Sequence, residues 1–203
     1  MRRLKILALC CAMSLCAANV SSAQVSKLYS QVSSDPKISA ALDLMDGTSA
    51  DWAKEAILGN NLSGMPIKIR FRNLGELGAK YSNYDALGWK TGNQLHIFIN
   101  QKHRSAPAEA LASLLSHEAC HQDEYNSLEE ETYAWGYEAD VWTQMKKKNP
   151  AMKNIAPGTY PLVDRLNTLG RLLEASNYST GKIRDLVYSN PGYTGLPVHS
   201  PGF

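Results

Sequence analysis

Between Leu95 and Asp123 the hydrophobic period of the chain switches from two residues to about 3.6, and no other feature narrows the fold as much. Leu95, Ile97 and Ile99 alternate with His96, Phe98 and Asn100, which is the pattern of a β-strand with two distinct faces. Past Ser105-Ala106-Pro107, the residues Leu111, Leu114, Leu115 and Glu118 recur at helical spacing. A helix is therefore expected from about Pro107 to about Asp123, with Pro107 suited to its first turn.

Other segments fall to one side or the other of the same test. Ile67-Lys68-Ile69-Arg70-Phe71 alternates and reads as a half-buried strand, and Tyr84 to Trp89 as a second, ended by Thr91-Gly92-Asn93. Short amphipathic helices are expected from Pro36 to Leu44 and from Ser49 to Leu58, parted by Asp46-Gly47. A long helix should run from Ser127 to Lys148, where Asn149-Pro150 stops it, its Lys146-Lys147-Lys148 end solvated. Leu162, Leu166, Leu169, Leu172 and Leu173 stripe a further helix from Pro161 to Ala175, and a short one is expected from Gly181 to Tyr188. The stretch from Asn190 to Phe203, rich in Pro and Gly, reads as irregular. The order predicts an α+β fold, with a small antiparallel sheet, an active-site helix and a mainly helical C-terminal half.

The start of the chain has another logic. Arg2, Arg3 and Lys5 introduce an apolar run reaching Ala18, and Ser21-Ser22-Ala23 supplies small residues. That is the layout of a secretory signal, cut after Ala23, so residues 1–23 are expected to be a signal peptide and 24–203 a single exported domain, periplasmic or secreted. The run falls short of the roughly 20 apolar residues of a spanning helix, so no stable membrane insertion is expected after cleavage. Bulky Leu9 and Leu15 speak against lipid attachment at Cys10 or Cys16. Losing Arg2, Arg3 and Lys5 takes the formal charge from +2 to −1 and leaves no basic stripe for nucleic acid. Of four cysteines only Cys120 remains, so no internal disulfide is available and the fold must rest on its core. Nothing in the sequence sets an oligomeric state.

His117-Glu118-Ala119-Cys120-His121 lies on the helix that periodicity demands. Two histidines four apart stand one turn apart on one face, so both rings can reach one ion, and zinc takes neutral imidazole readily. Glu118 is rotated about 100° from His117 and can flank the ion instead of binding it. The third ligand is sought where the next helix begins. Ser127-Leu128-Glu129-Glu130 fits a capping box that would give Glu130 a structural role, its side chain reaching back to the Ser127 N–H. Glu129 should face water. Glu131 shares a face with Ala134, Trp135, Glu138, Trp142 and Met145, where a carboxylate needs a partner, and so leads as third ligand, with Glu130 next.

His117-Glu118-Ala119-Cys120-His121 followed by Glu131-Thr132-Tyr133-Ala134 resembles the zincin metallopeptidases, and among them the gluzincins, whose third ligand is a glutamate. The likeness spans about Leu95 to Trp142 and includes a strand just before the motif helix, similar to the family's edge strand for extended substrates. The resemblance implies a zincin-like fold, one zinc ion per chain on His117, His121 and Glu131, and hydrolysis of a peptide or protein substrate. Glu118 would act as general base toward a zinc-activated water. Two departures stand out. Only nine residues separate His121 from Glu131, fewer than in the best-known members, so the helices must turn back through Tyr125-Asn126. Four residues after the third ligand, where the family often has an acid that orients a zinc histidine, stands Trp135, with Glu138 one turn on as the replacement.

On this reading Leu95 to Asn100 pairs with substrate backbone, and the loops Phe71–Tyr84 and Pro150–Tyr160 shape the cleft. Tyr133, Tyr137, Tyr178 and His199 are the candidates for a second oxyanion donor. His96 and His103 read as local polar residues, and Cys120 as a buried structural thiol. The rival reading is a non-catalytic metal-binding or interaction module outside the cytoplasm. Glu118 speaks against it, since a purely structural site has no use for a base beside the ion.

Overall fold

The computed structural model describes residues 28–203, and the expected signal peptide, residues 1–23, lies outside them. Three short strands form one sheet: β1 (Lys68–Arg72), β2 (Ala86–Thr91) and β3 (Gln94–Asn100). Helices carry most of the rest: α1 (Pro36–Met45), α2 (Asp51–Ile57), α3 (Ala108–Glu118), α4 (Leu128–Lys148), α5 (Pro161–Ala175) and α6 (Gly181–Tyr188). The chain is α+β, as the pattern of periods predicts.

The sheet order is β1-β3-β2. β2 and β3 form an antiparallel hairpin around Gly92, whose φ of 58° suits a residue without a Cβ. β1 runs parallel to β3, pairing Lys68 with His96 through to Arg72 with Asn100. The expected antiparallel sheet is thus corrected to a mixed one. Alternation along a strand reports its faces and not its neighbours, and β3, buried at Leu95 and from Ile97 to Asn100, takes the centre. Its Leu95, Ile97 and Ile99 face joins Ile67, Ile69, Leu111, Leu114 and Leu115 in the main core. On the opposite face Phe98 is covered by the guanidinium groups of Arg70 and Arg72, 4.8 and 5.4 Å from its ring centre.

Every residue of α3 from Ala110 to Glu118 is buried, because the helix packs against α1, α4 and the sheet. It ends at Glu118, well before Asp123. Ala119 and Cys120 form a turn, and His121 follows outside the helix. The chain has only the residues up to Ser127 in which to reverse direction, and a further helical turn would carry His121 away from α4. Twenty-one residues make α4 about 30 Å long. Trp142, fully buried, anchors it to α5 by an indole N–H donated to Asn167 Oδ1 at 3.0 Å. No helix of the described residues is long and apolar enough to cross a membrane.

Candidate metal centre

The end of α3 and the first turn of α4 bring three donor groups face to face. His117 Nε2 and His121 Nε2 lie 3.4 Å apart. Glu131 Oε2 is 3.6 Å from His117 Nε2, and Glu131 Oε1 is 3.7 Å from His121 Nε2. Ligands about 2.0–2.1 Å from the centre of a tetrahedron stand about 3.3–3.4 Å from one another; the two ring nitrogens match that spacing, and Glu131 turns one oxygen toward each ring at a slightly greater distance. The geometry therefore permits one metal ion among His117, His121 and Glu131.

Proton accounting agrees. His121 Nδ1–H donates to Glu130 Oε1 at 2.8 Å, and His117 Nδ1 faces Glu138 Oε2 at 3.4 Å, an ion-pair separation with no other partner for that nitrogen. With the protons drawn to the Nδ1 atoms, both Nε2 lone pairs point at each other and at a carboxylate. Glu131 Oε2 is buried and takes no hydrogen bond of normal geometry. Three electron-rich groups converging in a buried place are costly unless positive charge sits among them. Consistently, although burial disfavours a charged ring, the Glu130 bond and the charges of Glu131 and Glu118 push His121 up to about 9. Burial would raise Glu131, but the two histidines, Asn126 and Tyr193 hold its carboxyl below the usual range.

Neighbouring side chains fix the donors. Asn126 Nδ2 donates to Glu131 Oε1 at 2.6 Å, while Asn126 Oδ1 accepts from the Ser127 N–H at 2.7 Å. Here the expected capping box is half formed. Ser127 Oγ does accept from the Glu130 N–H at 3.1 Å, but the Glu130 carboxylate turns to His121 and not to the Ser127 N–H, which Asn126 has already taken. Glu129, expected to face water, instead pairs with Arg184 and Tyr188 of α6 at 2.6 and 2.5 Å. Glu138 occupies the orienting position beside His117. It is itself gripped by Arg165 of α5 through two bonds of 3.0 and 2.5 Å. Arg165 Nε lies 2.7 Å from Asp85, and Asp85 also lies 2.6 Å from His103 Nε2. The pull of Arg165 and His117 overcomes burial and keeps Glu138 below the usual range.

Glu118 is buried, its carboxylate makes no hydrogen bond among the described residues, and it borders two cavities of about 670 and 470 Å³. Burial pushes its carboxyl up, as do Glu131 and Glu138, against the opposing effect of the two histidines. β2 passes over it: a Cβ added at Gly88 would stand 3.9 Å from Glu118 Oε2 and 3.9 Å from the Cβ of His121. The strand beside the site is therefore β2, the sheet's edge, and not Leu95 to Asn100, whose backbone is paired on both sides. Of the two loops expected to shape the cleft, the first contributes Lys80, Asn83 and Tyr84, whereas Pro150–Tyr160 borders neither cavity.

The expected second donors are elsewhere. Tyr133 stacks on Tyr137, whose hydroxyl donates to Ser49 O at 2.6 Å, and Tyr178 and His199 are exposed; none borders either cavity. The residue in place is Tyr193. It borders both cavities and approaches the Glu131 carboxylate, and its oxygen accepts from Trp135 Nε1 at 2.9 Å. Burial and the Glu131 charge push its hydroxyl pKa up. Sequence reasoning had no handle on Tyr193, Asp85 or Arg165, because each reaches the site across long chain separations; a tyrosine just after Pro191-Gly192 in a Pro/Gly-rich stretch was the one faint signal. His103 is a buried partner of Asp85; His96 sits on the sheet and borders the second cavity, and neither belongs to the group of three donors. Cys120 is buried, with Sγ 3.5 Å from Ser116 O and its pKa pushed far up by desolvation, so the thiol stays protonated. Comparison with protein-family models, with curated proteins and with solved structures finds no match.

Proposed function

We propose that this protein is an exported zinc-dependent peptidase of zincin type, with His117, His121 and Glu131 as ligands and Glu118 as general base. The observation that carries the reading is the convergence of those three donors at 3.4–3.7 Å with an unbonded, buried carboxylate next to them. Soft and hard donors in a two-histidine, one-carboxylate set suit zinc, and such sets leave a coordination position open. A zinc ion held there supplies Lewis acidity toward a water and a scissile carbonyl.

The chain's own groups do the rest. Glu118, its affinity for a proton raised by burial, takes the proton of the attacking water and delivers it to the departing amine. Tyr193, whose oxygen already accepts from Trp135, directs its own O–H toward the centre and stabilises negative charge growing on the carbonyl oxygen. The outer edge of β2 offers unpaired backbone groups beside Glu118, so an extended peptide can lie there as a fourth strand.

Replacing Glu118 by Ala tests this reading. Zinc content should stay near one per chain while peptide hydrolysis, measured with a mixed peptide library and a chelator control, falls at least about 10²-fold. Hydrolysis that survives the change, or that is untouched by the chelator, contradicts the assignment.

A further inference from the structure

The segment after α6 folds back onto the start of α4, where its residues meet the support of one candidate ligand. Pro197 O accepts from the Leu128 N–H at 2.9 Å and Val198 O from the Glu129 N–H at 3.1 Å. Together with the Ser127 cap on the Glu130 N–H, these satisfy the free donors of the first turn. Ser200 then places its hydroxyl 3.0 Å from Glu130 Oε2 and 3.0 Å from Ser127 Oγ. One hydroxyl has one proton, and the carboxylate is the stronger acceptor. Ser200 therefore donates to Glu130 and receives the Ser127 proton.

We propose that Ser200 is a positioning residue of the metal centre, acting on His121 through Glu130. The two oxygens of Glu130 each hold a different partner, since Oε1 accepts from His121 Nδ1–H and Oε2 accepts from Ser200. The second bond sets the plane of the carboxylate, and that plane sets the direction in which the His121 ring presents Nε2 to Glu131 and His117. Glu130 is 4 % exposed and Ser127 is fully buried, so water does not readily replace the missing hydroxyl. The role is separable from holding α4, because the Leu128 and Glu129 N–H groups are met by backbone carbonyls that any residue at 200 leaves in place. This inference rests on the metal reading above.

The test is zinc affinity of the full chain, measured by competition with a chromophoric chelator, with the visible spectrum of the cobalt(II)-substituted protein as a report on ligand geometry. Glu130→Ala should weaken zinc binding about 10–100-fold. Ser200→Ala should weaken it about 3–10-fold and change the cobalt spectrum, and Ser200→Thr, which keeps the hydroxyl, should restore both. Adding Ser200→Ala to Glu130→Ala should cause no further loss, since the path then has no middle. His199→Ala, on the same stretch with an exposed side chain, should bind as the unaltered protein does. If the unaltered protein binds no metal, the metal reading fails and this inference with it. If it binds metal and Ser200→Ala binds as tightly, if the two losses add, or if Ser200→Thr or His199→Ala is as weak as Ser200→Ala, the inference alone is overturned.

Discussion

At the residue scale the chemistry turns on which atoms are left without partners. His117 Nε2, His121 Nε2 and Glu131 Oε2 point into one space, and the Glu118 carboxylate stands by with no hydrogen bond among the described residues. Tyr193 borders the same space and also approaches Glu131, so its proposed role in stabilising the oxyanion is read from kcat with the metal site kept saturated. Tyr193→Phe keeps the ring between the cavities and removes only the O–H, so with zinc supplied in excess kcat should fall about 10²-fold with KM little affected. Single-turnover rates on a peptide substrate check this, and an unaltered kcat places the oxyanion donor elsewhere. His117, Glu118 and His121 were legible because metal-binding types stood one turn apart within a single helix pattern. Glu131 was legible because a carboxylate on an apolar stripe demands an explanation. Glu130 was legible only in part: a capping box is a local rule, and local rules do not see that His121 and Ser200 between them occupy both oxygens of that carboxylate.

At the element scale the site depends on how α3, α4 and α5 are clamped together. Glu138 on α4, Arg165 on α5 and Asp85 just ahead of β2 form a line of alternating charge, fully buried at Glu138 and partly exposed at the other two, that ends against His117. Arg165 links both acids; its loss would leave the fully buried Glu138 with His117 alone, while Asp85 keeps His103 and Lys102. Arg165→Met should lower the unfolding free energy by roughly 3–5 kcal/mol, as breaking a buried ion pair does, and weaken metal binding through Glu138 as well. Urea denaturation of the metal-free protein checks the first effect; a loss under about 1 kcal/mol would mean that solvent already screens the cluster. Element boundaries followed the periods closely for α4, α5 and α6, whose ends carry a serine cap or prolines. Sheet order was not legible. Period-two alternation fixes which side chains share a face, while the choice of neighbour depended on the long excursion from residue 73 to residue 85.

At the scale of the whole molecule, stability should depend on acid through Asp85. Burial alone would raise its pKa, but the His103 bond and the charges of Arg165 and Lys102 outweigh it and hold the carboxyl far below its ordinary value of 3.8. A group depressed in this way binds protons more readily in the unfolded chain. Its stabilisation is therefore complete above the unfolded value and drains away as pH falls through and below it. The melting temperature of the metal-free protein should drop from about pH 4 downward, and Asp85→Asn should start lower and fall less over the same range. Parallel curves for the two proteins would show that Asp85 is not the group responsible. What the molecule as a whole adds, beyond any single window of sequence, is closure. The residues after α6 return to border the cavities at Gly192, Tyr193 and Leu196 and to cover the start of α4.

The most direct measurement is anomalous diffraction at the zinc absorption edge from crystals of the protein supplied with one equivalent of zinc. A single strong peak about 2 Å from His117 Nε2, His121 Nε2 and a Glu131 oxygen is predicted, with Glu118 beside the open side of the ion. No peak at that position, or a peak held by other residues while Glu131 turns to solvent, would contradict the account.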